Sequence, residues 1–138
     1  MMGNTIKYFK DPDNNLMALL IRDGHSGEGI EFLTEDSSFQ QVAYMGHPAG
    51  HDIIPHFHNK VPRTVDYTCE TLIMKKGVLE TTLYHNQKCL HRFNLYSGDV
   101  ITLFSGGHGF KALEDIEMIE IKQGPFVGPE DKTRFEGE

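Results

Sequence analysis

The sequence predicts an all-β fold, a sandwich or barrel built from short strands, and three observations carry that expectation. Nine stretches of strand length, alternating or apolar, recur along the 138 residues. Turn signals rich in Gly and Asn separate them. No segment sustains a period of about 3.6 residues with helix caps, so helix is confined to a short piece near either end.

Taken in order, the strands are expected over residues 16–21, 39–45, 51–56, 69–74, 78–84, 89–95, 100–104, 109–113 and 116–122. Residues 78–84 and 89–95 form a hairpin around His85-Asn86-Gln87-Lys88. Lys75-Lys76-Gly77 and Ser97-Gly98-Asp99 are the other tight turns, where Gly supplies the positive backbone angle that a sharp reversal demands. The tail over 124–138, rich in Gly, Pro and charge, is expected to leave the body of strands, draping over a neighbour or staying mobile. Neither an internal repeat nor a low-complexity tract interrupts the pattern.

Length and composition bound the rest. A chain of 138 residues is read as one domain, long enough to bury a core. With 38% hydrophobic residues and no apolar run of about twenty, a globular, membrane-free protein is expected. Met1-Met2-Gly3-Asn4-Thr5-Ile6-Lys7 lacks a signal-like apolar stretch, which makes the cytoplasm the expected compartment. Cys69 and Cys89 fit reduced, buried thiols better than a disulfide framework. The net charge of −7, with no basic block, lacks the footprint of nucleic-acid binding.

The residues that carry chemistry begin with His56-Phe57-His58. On an extended strand, side chains two apart share a face, so these two imidazoles can reach one ion. Taken alone, the pair reads equally well as two exposed or hydrogen-bonded strand histidines. The surrounding spacing decides. Gly50, five residues and His56-x-His58 precede Glu70, six residues and Gly77. Farther on come Gly98-Asp99-Val100-Ile101-Thr102-Leu103 and Phe104-Ser105-Gly106-Gly107-His108.

This two-part pattern resembles the cupin family over about residues 40–122. The chain departs from the family pattern in four places. Eleven residues separate His58 from Glu70, where the family usually holds about three or four. Phe104 replaces a proline, the gap from Gly106 to His108 is one residue shorter, and no Asn follows.

The resemblance implies a single cupin-type double-stranded β-helix, or jelly-roll barrel, spanning 1–138. It also implies one metal held by His56, His58, Glu70 and His108. Three imidazoles and a carboxylate suit a divalent first-row ion, Fe, Mn, Ni, Co, Cu or Zn, over Ca or Mg. Glu80 is the rival acid, placed near the rim. His25, His47, His51, His85 and His91 have no partner spacing and read as structural or exposed, with His47 and His51 near the pocket mouth.

The resemblance further implies an inserted loop, residues 59–68, over the barrel mouth. Its Lys60, Arg63 and Tyr67 can grip a carboxylate, a phosphate or sugar hydroxyls; the alternative is an ordinary solvated loop. His58-Asn59-Lys60 and Ser105-Gly106-Gly107-His108-Gly109-Phe110 are similar to small stand-alone cupins of bacterial polysaccharide gene clusters, which implies a carbohydrate-related substrate.

Fold alone selects no activity in this family. The leading expectation is a metal-dependent enzyme, an isomerase or a dioxygenase, acting on a small polar or sugar-derived molecule. The alternatives are a non-catalytic ligand-binding module and a metal-free sugar-nucleotide isomerase with His56 or His58 as acid/base. A homodimer is expected, since edge strands invite pairing and two-fold dimers are the commonest oligomer.

Overall fold

The computed structural model describes residues 4–137 and is all-β, with ten strands and one short 3-10 turn at Gly128–Asp131. The chain divides into two compact units, one made of residues 4–25 and 67–137 and the other of Ser26–Asp66. Among the described residues, no helix is long and apolar enough to cross a membrane.

The first unit holds two antiparallel sheets. In the larger, strands run in the order β1 (Ile6–Lys10), β2 (Leu16–Ile21), β8 (Val100–Leu103), β5 (Glu70–Lys76) and β10 (Glu117–Lys122). In the smaller, β6 (Leu79–His85) lies between β7 (Lys88–Leu95) and β9 (Gly107–Ala112). Among the described residues, no ladder joins the two sheets into a closed barrel.

Strand alternation explains how the sheets face each other. Register places Ala18 opposite Leu103, Leu20 opposite Ile101, and Ile101 opposite Leu72, so these side chains share one face of the larger sheet. Leu79 and Leu83 alternate along β6, and Leu95 pairs with Leu79. All of them enter one buried cluster together with Met74, against which Phe9, Phe93 and Ile116 pack. Removing each such leucine from water contributes about 1.5–3 kcal/mol, which makes this cluster the main support of the unit. Phe9 of β1 stacks on Phe93 of β7 at 4.2 Å between ring centroids, bringing those two edges together.

The expected hairpin forms with its turn intact: β6 pairs β7, and Asn86 and Gln87 both take positive φ, 52° and 64°. At the turn before β8, Gly98 has φ 89°, and a Cβ there would lie 2.1 Å from the Asp23 carboxylate. The next residue centres a polar network. Buried Asp99 accepts hydrogen bonds from Arg22 Nη1 at 2.7 Å and from the backbone amides of Asp23 and Tyr96 at 3.0 and 2.8 Å. Arg22 also donates to the carbonyl of Asn94, and its guanidinium sits over the Tyr96 ring.

The second unit is a hairpin and an irregular segment. β3 (Gly29–Phe32) pairs antiparallel with β4 (Ala43–Gly46). Between them, Gln41 ties the loop by donating from Nε2 to the carbonyls of Glu35 and Ser38, both at 3.0 Å. Residues 47–66 form no regular strand.

Four expectations are corrected here. The strand at 51–56 is absent: Pro48, Pro55 and Pro62 offer no amide to a ladder, and the His51 amide bonds back to the Pro48 carbonyl at 3.2 Å instead. The strand expected at 39–45 is reduced to Ala43–Gly46, because Gln41 fastens the loop before it. Two strands were not anticipated, β1 with its two lysines and β3 with four residues. The tail does not leave the body: Phe135 sets its ring edge against Tyr84 at 5.2 Å.

Candidate metal-binding site

Glu70 opens β5 and shares the inward face with Leu72 and Met74, while His108 on β9 lies opposite Leu83 of β6. Both side chains therefore point between the sheets of the first unit, and His108 Nε2 comes 3.4 Å from Glu70 Oε2. The carboxylate is mostly buried, its side chain 12% exposed against 32% for His108. The His108 hydrogen bond holds the Glu70 carboxyl below its ordinary value, against burial, which pushes it up; the charges of His108, Lys122 and Lys132 add to the lowering. An ionised carboxylate and an imidazole at contact distance make a donor pair suited to a divalent cation.

In the second unit, His56 and His58 set their rings 5.4 Å apart in an edge-on arrangement, and both are exposed. His56 Nδ1 lies 2.8 Å from the carbonyl of Ile54. With the proton on Nδ1 donated to that carbonyl, the Nε2 lone pair is the one directed outward, the tautomer by which histidines commonly ligate metals. The pair arises from a coil held by a local bond, not from the strand alternation that the sequence suggests.

Neither unit by itself, among the described residues, gathers three or more His, Cys, Asp or Glu side chains able to hold a metal. Glu70 and His108 belong to the first unit, His56 and His58 to the second.

Of the substrate-gripping residues expected in the loop, Lys60 and Arg63 are exposed, and Arg63 Nη1 donates to the Val61 carbonyl at 3.3 Å. Tyr67, which begins the next stretch of the first unit, is 70% exposed.

The remaining histidines take structural roles. His25 Nδ1 bonds the Thr5 hydroxyl at 2.7 Å, and His91 Nε2 bonds the Lys10 carbonyl at 3.0 Å. His47 and His51 stack on each other with centroids 4.1 Å apart.

Glu80 sits in β6 on the face opposite the core, beside Thr82, Tyr84, Arg92 and Lys111 around a polar cavity of about 280 Å³. Sequence reasoning also passed over Gln123, Asp131, Lys132 and Phe135 in the tail. Phe135, an aromatic flanked by Arg134 and Glu136, was the available signal.

No family model, curated protein or solved structure matches this chain.

Proposed function

We propose that the chain is a metal-binding member of the cupin family, a jelly-roll or double-stranded β-helix protein that acts on a small polar or sugar-derived substrate. One divalent first-row metal, held by His56, His58, Glu70 and His108, serves this reading. The observation that carries it is the meeting of Glu70 and His108 at 3.4 Å, two residues far apart in the chain whose motif positions put them in one ligand set. The His56 tautomer selected by the Ile54 carbonyl adds support.

Bound in such a site, the metal supplies Lewis acidity toward a carbonyl or enediol oxygen, or dioxygen activation if it is iron. The chain's own residues do the rest. Glu70, kept ionised by its histidine, supplies the anionic donor. Lys60, Arg63 and Tyr67 orient a carboxylate, phosphate or hydroxyl group of the substrate through charge-assisted hydrogen bonds. The Ile54 bond to His56 also favours a second reading, because an imidazole oriented by a backbone carbonyl serves equally as a metal-free general base. A homodimer is the proposed assembly, on the ground that unpaired edge strands such as β10 invite pairing.

Metal determination on protein purified without a histidine tag tests the proposal. One first-row metal per chain, lost in His108→Ala, is the expected result. A folded protein that neither retains metal nor takes up Zn²⁺, Mn²⁺ or Fe²⁺ on addition would leave the metal-free reading in its place.

A further inference from the structure

The chain beyond β10 is fastened to the two places where Glu70 and His108 enter their strands. Gln123 Oε1 accepts the amide of Cys69 at 2.7 Å, and the Asp131 carboxylate accepts the hydroxyl of Thr68. Those two anchors hold the residues immediately before Glu70. Farther along, Phe135 lies edge-on to the Tyr84 ring at 88°, and a Cβ on Gly107 would come 2.9 Å from the Phe135 ring. A Cβ on Gly137 would meet the Tyr84 hydroxyl at 2.3 Å, so the tail passes Tyr84 at full contact. Gly107 pairs with Tyr84 in the sheet and immediately precedes His108. Small residues stand where the tail and the sheet approach each other.

We propose that residues 123–137 form a positioning strap, with Phe135 as its latch on Tyr84 and Gly107, that sets the approach of His108 to Glu70. One end of the strap restrains the start of β5, and the other restrains the start of β9. Both ends must hold for a donor pair carried by two different sheets to keep a fixed separation, because each strand start is otherwise free to fray. Phe135 acts on the pair only through Gly107 and Tyr84. The strap concerns the Glu70–His108 contact itself, so it stands whether or not the protein holds a metal, and metal-free protein serves for its test.

The test compares Phe135→Ala, Phe135→Leu, Gly107→Ala and Asp131→Ala in the full chain. NMR at one neutral pH follows the His108 ring signals, with Glu70→Gln marking where those signals lie when the carboxylate is lost. Amide exchange at Cys69 and His108 is followed beside it. Phe135→Ala should move the His108 signals toward the Glu70→Gln position and speed exchange at both amides by about tenfold or more, leaving the core of β2 and β8 protected. Gly107→Ala should reproduce the change with no substitution in the tail, because its methyl displaces the Phe135 ring. Phe135→Leu, which keeps an apolar latch, should restore most of the native signal. Asp131→Ala, at an exposed position, removes the other anchor; it should speed exchange at the Cys69 amide and move the His108 signals in the same direction, and it decides the matter if Phe135→Ala does not fold. Unmoved His108 signals in folded Phe135→Ala, Gly107→Ala and Asp131→Ala, or faster exchange spread evenly over every strand, would overturn the strap.

Discussion

His108 Nε2 lies 3.4 Å from Glu70 Oε2, and this contact ties the first residue of β5 to the second residue of β9, across the two sheets of the first unit. Its electrostatic consequence is directional. The histidine hydrogen bond outweighs burial and holds the Glu70 carboxyl below its ordinary value. Carbon-detected NMR should find its midpoint below the usual glutamate value of about 4.3. In His108→Ala the largest lowering influence is gone while burial remains, so the midpoint should rise. A depressed folded value means that the pair's stabilisation is present above the ordinary value and is lost as pH falls through the folded one. A native midpoint at or above the ordinary value would show that the contact is not made in solution.

His58→Ala and Arg63→Ala should separate metal binding from substrate binding. Loss of one imidazole opens the ligand set, so metal affinity should drop by at least about a hundredfold in His58→Ala. Arg63 is exposed on its loop and should leave metal content unchanged on replacement, while binding of a sugar phosphate probe weakens by roughly tenfold. Full metal content in His58→Ala, with turnover lost, would favour acid/base chemistry at the histidine pair.

Asp99→Ala should be among the most destabilising single changes. The carboxylate is buried and accepts three hydrogen bonds, from Arg22 and from the amides of Asp23 and Tyr96. Removing it leaves those donors without their acceptor, at a cost of about 3–5 kcal/mol by analogy with other broken buried ion pairs. Urea unfolding monitored by circular dichroism measures it. A loss under about 1 kcal/mol would mean that water replaces the carboxylate freely.

The two thiols should differ in reactivity. Burial pushes the Cys69 thiol up from its ordinary value, against a weaker opposing hydrogen bond with Gln123, whereas Cys89 is only half-buried. Native protein treated with iodoacetamide should therefore be modified first at Cys89, as peptide mapping would show. A raised folded value also means that any stability owed to neutral Cys69 is present below the ordinary thiol value and declines as pH rises toward the folded one. Equal labelling of both thiols in folded protein would contradict the burial of Cys69.

Strands whose own side chains alternate or run apolar were legible without coordinates. Leu16–Ile21 appears with the expected bounds, and the hairpin of β6 and β7 follows from its turn residues and period-two pattern. β1 was not legible, because Ile6-Lys7-Tyr8-Phe9-Lys10 carries two lysines and becomes a strand by pairing with β2 and packing Phe9 on Phe93. Residues 51–56 failed in the other direction. A strand was expected there, but a ladder needs amides, and Pro55 within the segment has none.

For the candidate site, the resemblance to a family pattern singled out Glu70 and His108, since they stand where that pattern carries its acid and its last histidine. Their contact was beyond local reading: it depends on the registers of β5 on β8 and of β9 on β6, and on the packing of two sheets over one core. The seat of Phe135 on Tyr84 belongs to the same class, because nothing local separates Phe135 from Phe126 of the same tail, which is exposed. By itself the sequence determined the all-β class and most strand positions, since these follow from side-chain alternation and turn chemistry within short windows. Only the tertiary structure decided which donors meet and where the tail lies, because contacts between residues distant in the chain are set by strand register and by the burial of a shared core.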